Sequence, residues 1–93
     1  MITLLAKAER DLRRIGPGPQ RGRILAGLRD LDAGSDNLDT KALVGSAPWL
    51  RLRVGDYRVL YRDTDSAAGV VHVITRIVHR RELDRAVTTL PEG

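Results

Sequence analysis

A chain of 93 residues, 42% of them apolar, is too apolar to be disordered and too short for more than one domain. It has no cysteine, which excludes disulfides, iron–sulfur clusters and thiolate zinc sites and fits a reducing compartment. A net charge of +4 with a pI near 10.3 favours an anionic partner, but each half is only slightly basic, so any basic patch has to be made by folding.

Phe is absent and the aromatics are Trp49, Tyr57 and Tyr61, so the core is expected to be aliphatic. The apolar start, residues 2–6, is too short for the apolar region of a signal peptide. No run approaches the roughly 20 apolar residues that span a bilayer. The expectation is a cytoplasmic protein with no membrane partner.

In chain order, residues 2–5 read as a short strand. Leu5, Ala8, Leu12 and Ile15 then recur at helical spacing, predicting a helix over residues 6–15 with Lys7, Arg10, Asp11 and Arg14 in solvent. Gly16-Pro17-Gly18-Pro19 stops it, and Pro19 suits the first turn of the next helix. That second helix is expected over residues 19–33, with Ile24, Leu25, Leu28 and Leu31 buried, Arg21, Arg23 and Arg29 solvated, and Gly34 as its stop. Residues 34–48 are polar and read as turns. Residues 49–54 and 57–62 alternate about a Gly55-Asp56 turn, residues 63–69 read as a loop, and 70–78 is an apolar strand. Residues 80–90 read as a short helix or a loose tail. Helices first and strands afterwards predict an α+β fold, with a two-helix hairpin on one face of a twisted antiparallel sheet and the other face free for function. The whole of 1–93 is one domain.

Arg51 and Arg53 stand two apart on a strand and so share a face; Arg58, just past the turn, returns toward them, and Arg80 follows the last strand in a His79-Arg80-Arg81 cluster. Guanidinium groups are planar, always charged and donate in pairs, which suits phosphate, although alternating arginines also occur simply as a solvated strand face. His79 is a candidate general acid or base because an imidazole titrates near cellular pH. His72, inside the apolar run, reads as packed or paired. Two histidines seven apart without clustered carboxylates do not make a metal site. Trp49 reads as packing against the helical hairpin.

The segments Lys41-Ala-Leu-Val-Gly45, Trp49-Leu-Arg-Leu-Arg-Val-Gly-Asp-Tyr-Arg-Val-Leu-Tyr61 and Val78-His-Arg-Arg-Glu82, with Ala8-Glu-Arg-Asp-Leu-Arg-Arg-Ile15 upstream, resemble the RelE/ParE toxin superfamily. The resemblance runs over about residues 5–86 and is most specific from Arg51 to Tyr61. It implies the fold already derived, with a charged site in the sheet's concavity. In the RelE branch it further implies a toxin of a type II toxin–antitoxin system that is a ribosome-dependent mRNA endonuclease, needing neither metal nor cofactor. The 2′-hydroxyl attacks the adjacent phosphodiester and leaves 2′,3′-cyclic phosphate and 5′-hydroxyl ends. Its implied partners are a wrapping antitoxin and ribosome-bound mRNA, with operator DNA reached only through the antitoxin complex.

Carried over by position, Arg58 and Arg80 are the implied catalytic arginines, while Arg51, Arg53 and Arg81 bind RNA phosphate. Two departures stand out. A tyrosine that stacks on the base in some members is replaced near Asp84, and lysines that act as base in some members are arginines here. Arginine does not give up its proton, so the base is either His79 or absent, with cleavage then resting on positioning and charge. A ParE-like inhibitor of DNA gyrase without nuclease chemistry shares the same strand signature and is the competing reading; a decayed member that only binds antitoxin and DNA is a third.

Overall fold

The structure is a computed structural model, and it describes residues 1–91. Strand β1 (Ile2–Leu4) leads into helices α1 (Ala6–Ile15) and α2 (Pro19–Asp32). Strands β2 (Thr40–Ala42), β3 (Leu50–Val54), β4 (Tyr57–Ser66) and β5 (Gly69–His79) follow, then a 3-10 turn (Arg80–Glu82) and helix α3 (Leu83–Thr88). The helical hairpin is as expected: α1 ends where Gly16 turns to φ +78 and gives its N–H to the Leu12 carbonyl, and Pro19 opens α2.

The sheet has the order β1-β5-β4-β3-β2. β2 through β5 are antiparallel, and β1 joins beside β5 in parallel, pairing Ile2 with His72 and Leu4 with Ile74. Gly55, at φ +57, is the first central residue of the two-residue β3–β4 turn, the position where a twisted hairpin favours glycine. Two segments read as loop are strand. Thr40–Ala42 is the sheet's outer edge, and all of its residues are exposed. The β4–β5 hairpin continues out to Ser66 opposite Gly69, where the Ser66 hydroxyl donates to the Gly69 carbonyl at 2.8 Å. This arm is exposed along most of its length, so no apolar alternation marks it.

Helices cover one sheet face. Leu52, Val59, Tyr61, Ile74 and Ile77 meet Ala8, Leu12, Ile24, Leu28 and Leu31 there. Each fully buried aliphatic side chain contributes about 1.5–3 kcal/mol. At Gly27, α2 lies so close to β3 that an added β-carbon would sit 3.0 Å from Val54 Cγ2. The opposite face is not wholly free, contrary to expectation. Leu60 and Val78 are sealed by Ala86 of α3, flanked by Leu43, Leu83, Val87 and Leu90. Trp49 belongs to this side, not to the helical hairpin: its indole N–H donates to the Pro91 carbonyl at 3.0 Å, and the Arg62 guanidinium lies 5.9 Å from its ring.

Asp11 departs furthest from the sequence reading. Expected in solvent, it is 5% exposed. β1 is short, and its last contribution to β5 is followed only by the Leu5 N–H bonding the Ile74 carbonyl at 2.9 Å. Past that point β5 has no neighbouring strand on this side. Asp11 reaches down from α1 and accepts from the Ile77 backbone N–H at 2.9 Å. It also takes both Arg76 Nε (2.9 Å) and Nη2 (3.3 Å), and that bond is the main cause raising the Arg76 guanidinium above its ordinary value.

Removing one partner of a buried pair costs about 3–5 kcal/mol, because the other charge is stranded. Asp11→Ala is therefore expected to lower unfolding stability by about that amount, read from the denaturant midpoint at unchanged slope. Asp11→Asn, whose amide oxygen still accepts from Ile77, should lose less. A midpoint unmoved by Asp11→Ala would show that this carboxylate does not hold α1 to the sheet.

Candidate nucleic-acid interface

Strand alternation puts Leu52 toward the helices and Arg51 and Arg53 on the other face. On β4, Val59 and Tyr61 face the helices while Arg58 and Leu60 turn away. The β3–β4 register then sets Arg53 directly across from Arg58. Arg80 comes in from the end of β5, where its backbone N–H bonds the Asp56 carbonyl at 2.7 Å beside the same turn. Four of the arginines singled out by sequence are thus assembled around one hairpin. Lys41, paired with Arg51 across β2–β3, joins their face; it was missed as a site residue because nothing in Thr40–Ala42 signals a strand.

The cluster has fixed and loose members. Arg58 is half-buried and its Nη1 donates to the carbonyls of Gly55 (2.8 Å) and Tyr57 (2.9 Å), which pins the guanidinium over the turn. Arg51 is held by Asp39, with Nη1 3.1 Å from Oδ1. Arg80 Nε lies 3.6 Å from Asp56 Oδ1, a contact so exposed that water and salt screen it. The Arg53 side chain has no ion-pair or hydrogen-bond partner among the described residues. The Arg58 guanidinium is held below the ordinary arginine value by burial first, and then by the positive charges of Arg53, Arg51 and Arg80; Asp39 opposes this. Like charges placed directly opposite on a sheet are destabilising. A bound anion would remove that cost.

His79 does not join them. It pairs with Tyr57, so its ring leaves the sheet on the opposite side from Arg58 and meets the Tyr57 ring edge-on, centroids 5.5 Å apart. Its Nδ1 accepts from the Arg81 backbone N–H at 3.2 Å. A neutral imidazole accepting at Nδ1 carries its proton on Nε2, so the remaining nitrogen is a donor. This corrects the reading of His79 as a base beside the arginines: the strand period that gathers Arg58 and Arg53 sends His79 away. The Arg81 side chain is exposed on the 3-10 turn, and Asp84 is exposed at the start of α3. His72 is paired as expected, with Nδ1 2.6 Å from Asp63 Oδ1. Among the described residues no three His, Asp or Glu side chains are grouped to hold a metal ion, and no helix is long and apolar enough to cross a membrane.

The sequence matches the family model for the ParE toxin of the type II toxin–antitoxin system parDE over residues 2–84. No curated protein matches the chain. Among solved structures, it is similar to the RelB–RelE antitoxin–toxin complex of Methanococcus jannaschii, at TM-score 0.66 and 23% identity over 89% of this chain and 95% of that one. It is similar to the RelE–RelB complex of Pyrococcus horikoshii OT3, at TM-score 0.60 and 24% identity over 85% and 92% of the two chains. Those two likenesses concern the fold. The RelBE2 toxin–antitoxin complex of Mycobacterium tuberculosis aligns at TM-score 0.55 with 31% identity, over 85% of this chain and 95% of that one. With a family match over most of its length and a relative above the identity that marks kinship, the chain belongs to the RelE/ParE superfamily and is a toxin of a type II toxin–antitoxin system.

Proposed function

We propose that this toxin is a ribosome-dependent mRNA endonuclease whose site is the arginine cluster, and that a cognate antitoxin neutralises it by covering that face. One observation carries the reading: Arg51, Arg53, Arg58 and Arg80 converge on one hairpin, where burial first and then the charges of its neighbours hold Arg58 below its ordinary value. Perturbed groups of like charge, kept close despite the folding cost, mark functional sites. The solved relatives are toxins captured with RelB-type antitoxins, which supports an antitoxin partner for this chain. Operator DNA would then be met only through that complex.

In the proposed reaction the 2′-oxygen bonds to phosphorus as the P–O5′ bond breaks, leaving a 2′,3′-cyclic phosphate and a 5′-hydroxyl. The 2′ proton passes to water and the leaving O5′ takes one up, because arginine cannot serve as base, His79 is on the far face, and Lys41 stands on the outer strand across from Arg51, away from Arg58. Arg58, with Nη1 fixed on two carbonyls, presents its remaining N–H groups to the phosphorane; Arg80 is placed to meet charge on the leaving oxygen. Arg51, Arg53 and Lys41 hold flanking phosphates. The Arg81 side chain, exposed and with no partner among the described residues, serves at most as an outer phosphate contact.

The same lack of a base beside Arg58 and Arg80, with the family match to ParE toxins, favours one second reading: a gyrase inhibitor without nuclease chemistry. Single-turnover cleavage on ribosomes paused at a defined codon separates the two. The expected result is cuts in the decoding site with 2′,3′-cyclic phosphate ends, slowed about 10²–10³-fold by Arg58→Ala, the scale of losing one transition-state donor. Arg58→Lys, which keeps the charge but not the fork, should recover only part of that. No cuts by the folded wild type, with DNA supercoiling by gyrase inhibited instead, would replace the nuclease reading with the second one.

A further inference from the structure

The charge of the chain is unevenly placed in space. From Ala6 to Asp32, the helical hairpin carries seven Lys and Arg residues against four acidic ones, two of them (Asp30 and Asp32) at its far end, whereas the remainder carries nine basic against eight acidic residues. Asp11 is already spent on Arg76 and the Ile77 N–H. The hairpin is therefore the basic pole of the molecule, and its charge lies on elements that the arginine cluster does not use.

Lys7, Arg10 and Arg14 follow one another at spacings of three and four, so they stand on one face of α1. With Asp11 and Arg76 they line an open cleft of about 200 Å³. A second cleft of about 180 Å³ shares Arg14 and Arg76 and runs on past Tyr57, His79 and Glu82 at the end of β5. His79 is followed directly by Arg80, so this second cleft opens where the arginine cluster ends. The two clefts share Asp11, Arg14 and Arg76, so together they run from the end of β5, next to Arg80 in the chain, along its edge to α1.

Lys7 and Arg10 do not serve the helix. Like charges three or four apart weaken it by a few tenths of a kcal/mol per pair, and Lys7 and Arg10 stand in its first half, away from the C-terminal end where cations are favoured. Among the described residues none of the three has an ion-pair partner. The cleft at the end of β5 is different in kind: it offers the edge-to-face Tyr57–His79 pair and the carboxylate of Glu82. That composition suits a base against aromatic rings and disfavours a phosphate, whereas the α1 end suits phosphates.

We infer that the two clefts form a track for the RNA strand flanking the cut, with a base against Tyr57 and His79 and successive phosphates against Arg14, Arg10 and Lys7. The inference rests on the ribonuclease reading for the identity of the strand. It gives His79 a place in substrate binding, on the side of the sheet where its ring lies.

The test is equilibrium binding of a fluorescein-labelled short oligouridylate across salt, with Arg10→Ala/Arg14→Ala set against Arg13→Ala/Arg23→Ala. The second pair removes the same charge from exposed positions outside both clefts, and unchanged thermal unfolding checks that each variant is folded. A single-stranded phosphate contact contributes about 0.7 to the log–log salt slope. Arg10→Ala/Arg14→Ala is therefore expected to lose about 1.4 from the slope, so its affinity deficit shrinks about 7-fold between about 50 and 200 mM salt. The control pair should keep the wild-type slope. Equal slopes for the two pairs, or no oligouridylate binding by the wild type, overturn the track. Cleft-dependent binding without any cleavage on ribosomes supports the track and removes the ribonuclease reading alone.

Discussion

The carboxylate of Asp11 holds the molecule together at its weakest edge. A first strand of three residues leaves most of β5 without a neighbour on that side, and backbone donors there would face helix α1 with no strand to receive them. Buried N–H groups left unpaired cost about 1–3 kcal/mol each. Asp11 answers the Ile77 N–H and, by gripping Arg76, ties α1 to the sheet where β1 no longer does. Thr75, just before it, carries a buried hydroxyl with no partner among the described residues. It lies at the bulge where Leu60 faces Arg76 and Tyr61 faces Ile74, which makes Thr75 the extra residue. The clamp thus sits at an irregularity and steadies it.

Everything on the arginine face is downstream of that edge. β5 fixes the register of β4, with Val78 opposite Arg58, and β4 fixes β3, with Arg58 opposite Arg53. A one-residue slip at any step would turn Arg58 toward the helices and Val59 into solvent. The apolar clusters on both faces make such a slip expensive. Leu52, Val59 and Ile74 are locked on the helix side, while Leu60 and Val78 are locked beneath α3. Between those anchors the sheet can carry four mutually repelling guanidinium groups, because their repulsion is local and the packing that opposes it is distributed.

How much of this could be read from the chain follows from the range of each interaction. The helix over Ala6–Ile15, the Gly55 turn and the shared face of Arg51 and Arg53 depend on neighbours within a few residues, and local spacing revealed them. Asp11 depends on residues 65 and 66 positions away, and nothing in its helical neighbourhood marks it as buried. β2 is an exposed strand recognisable only by its partner β3, and with it went Lys41. Local spacing puts Trp49 on the helical side, because its partner, the Pro91 carbonyl, lies 42 residues on, out of reach of any local pattern. His79 was placed among the arginines by proximity along the chain, where the two-residue period of β5 and its pairing with Tyr57 decide the matter in space.

The separation of His79 from Arg58 bears on what chemistry a face built around arginines can perform. A general base and a cation cluster solve different parts of phosphoryl chemistry: one moves the proton from the nucleophile, the other stabilises charge as it develops on phosphorus and the leaving oxygen. Fixed guanidinium groups perform the second task without reorganising, and Arg58, pinned over the turn by two carbonyls, is the member best prepared for it. None of them can perform the first at neutral pH. Such a face therefore depends on the alignment of the attacking oxygen, and alignment comes from how the strand is held on either side of the cut. Effective concentration from good positioning can lower a barrier by about 7–11 kcal/mol. On the proposed ribonuclease reading, a substrate already ordered by the ribosome leaves the toxin fewer catalytic groups to supply, and arginines with no base beside Arg58 match that division of labour.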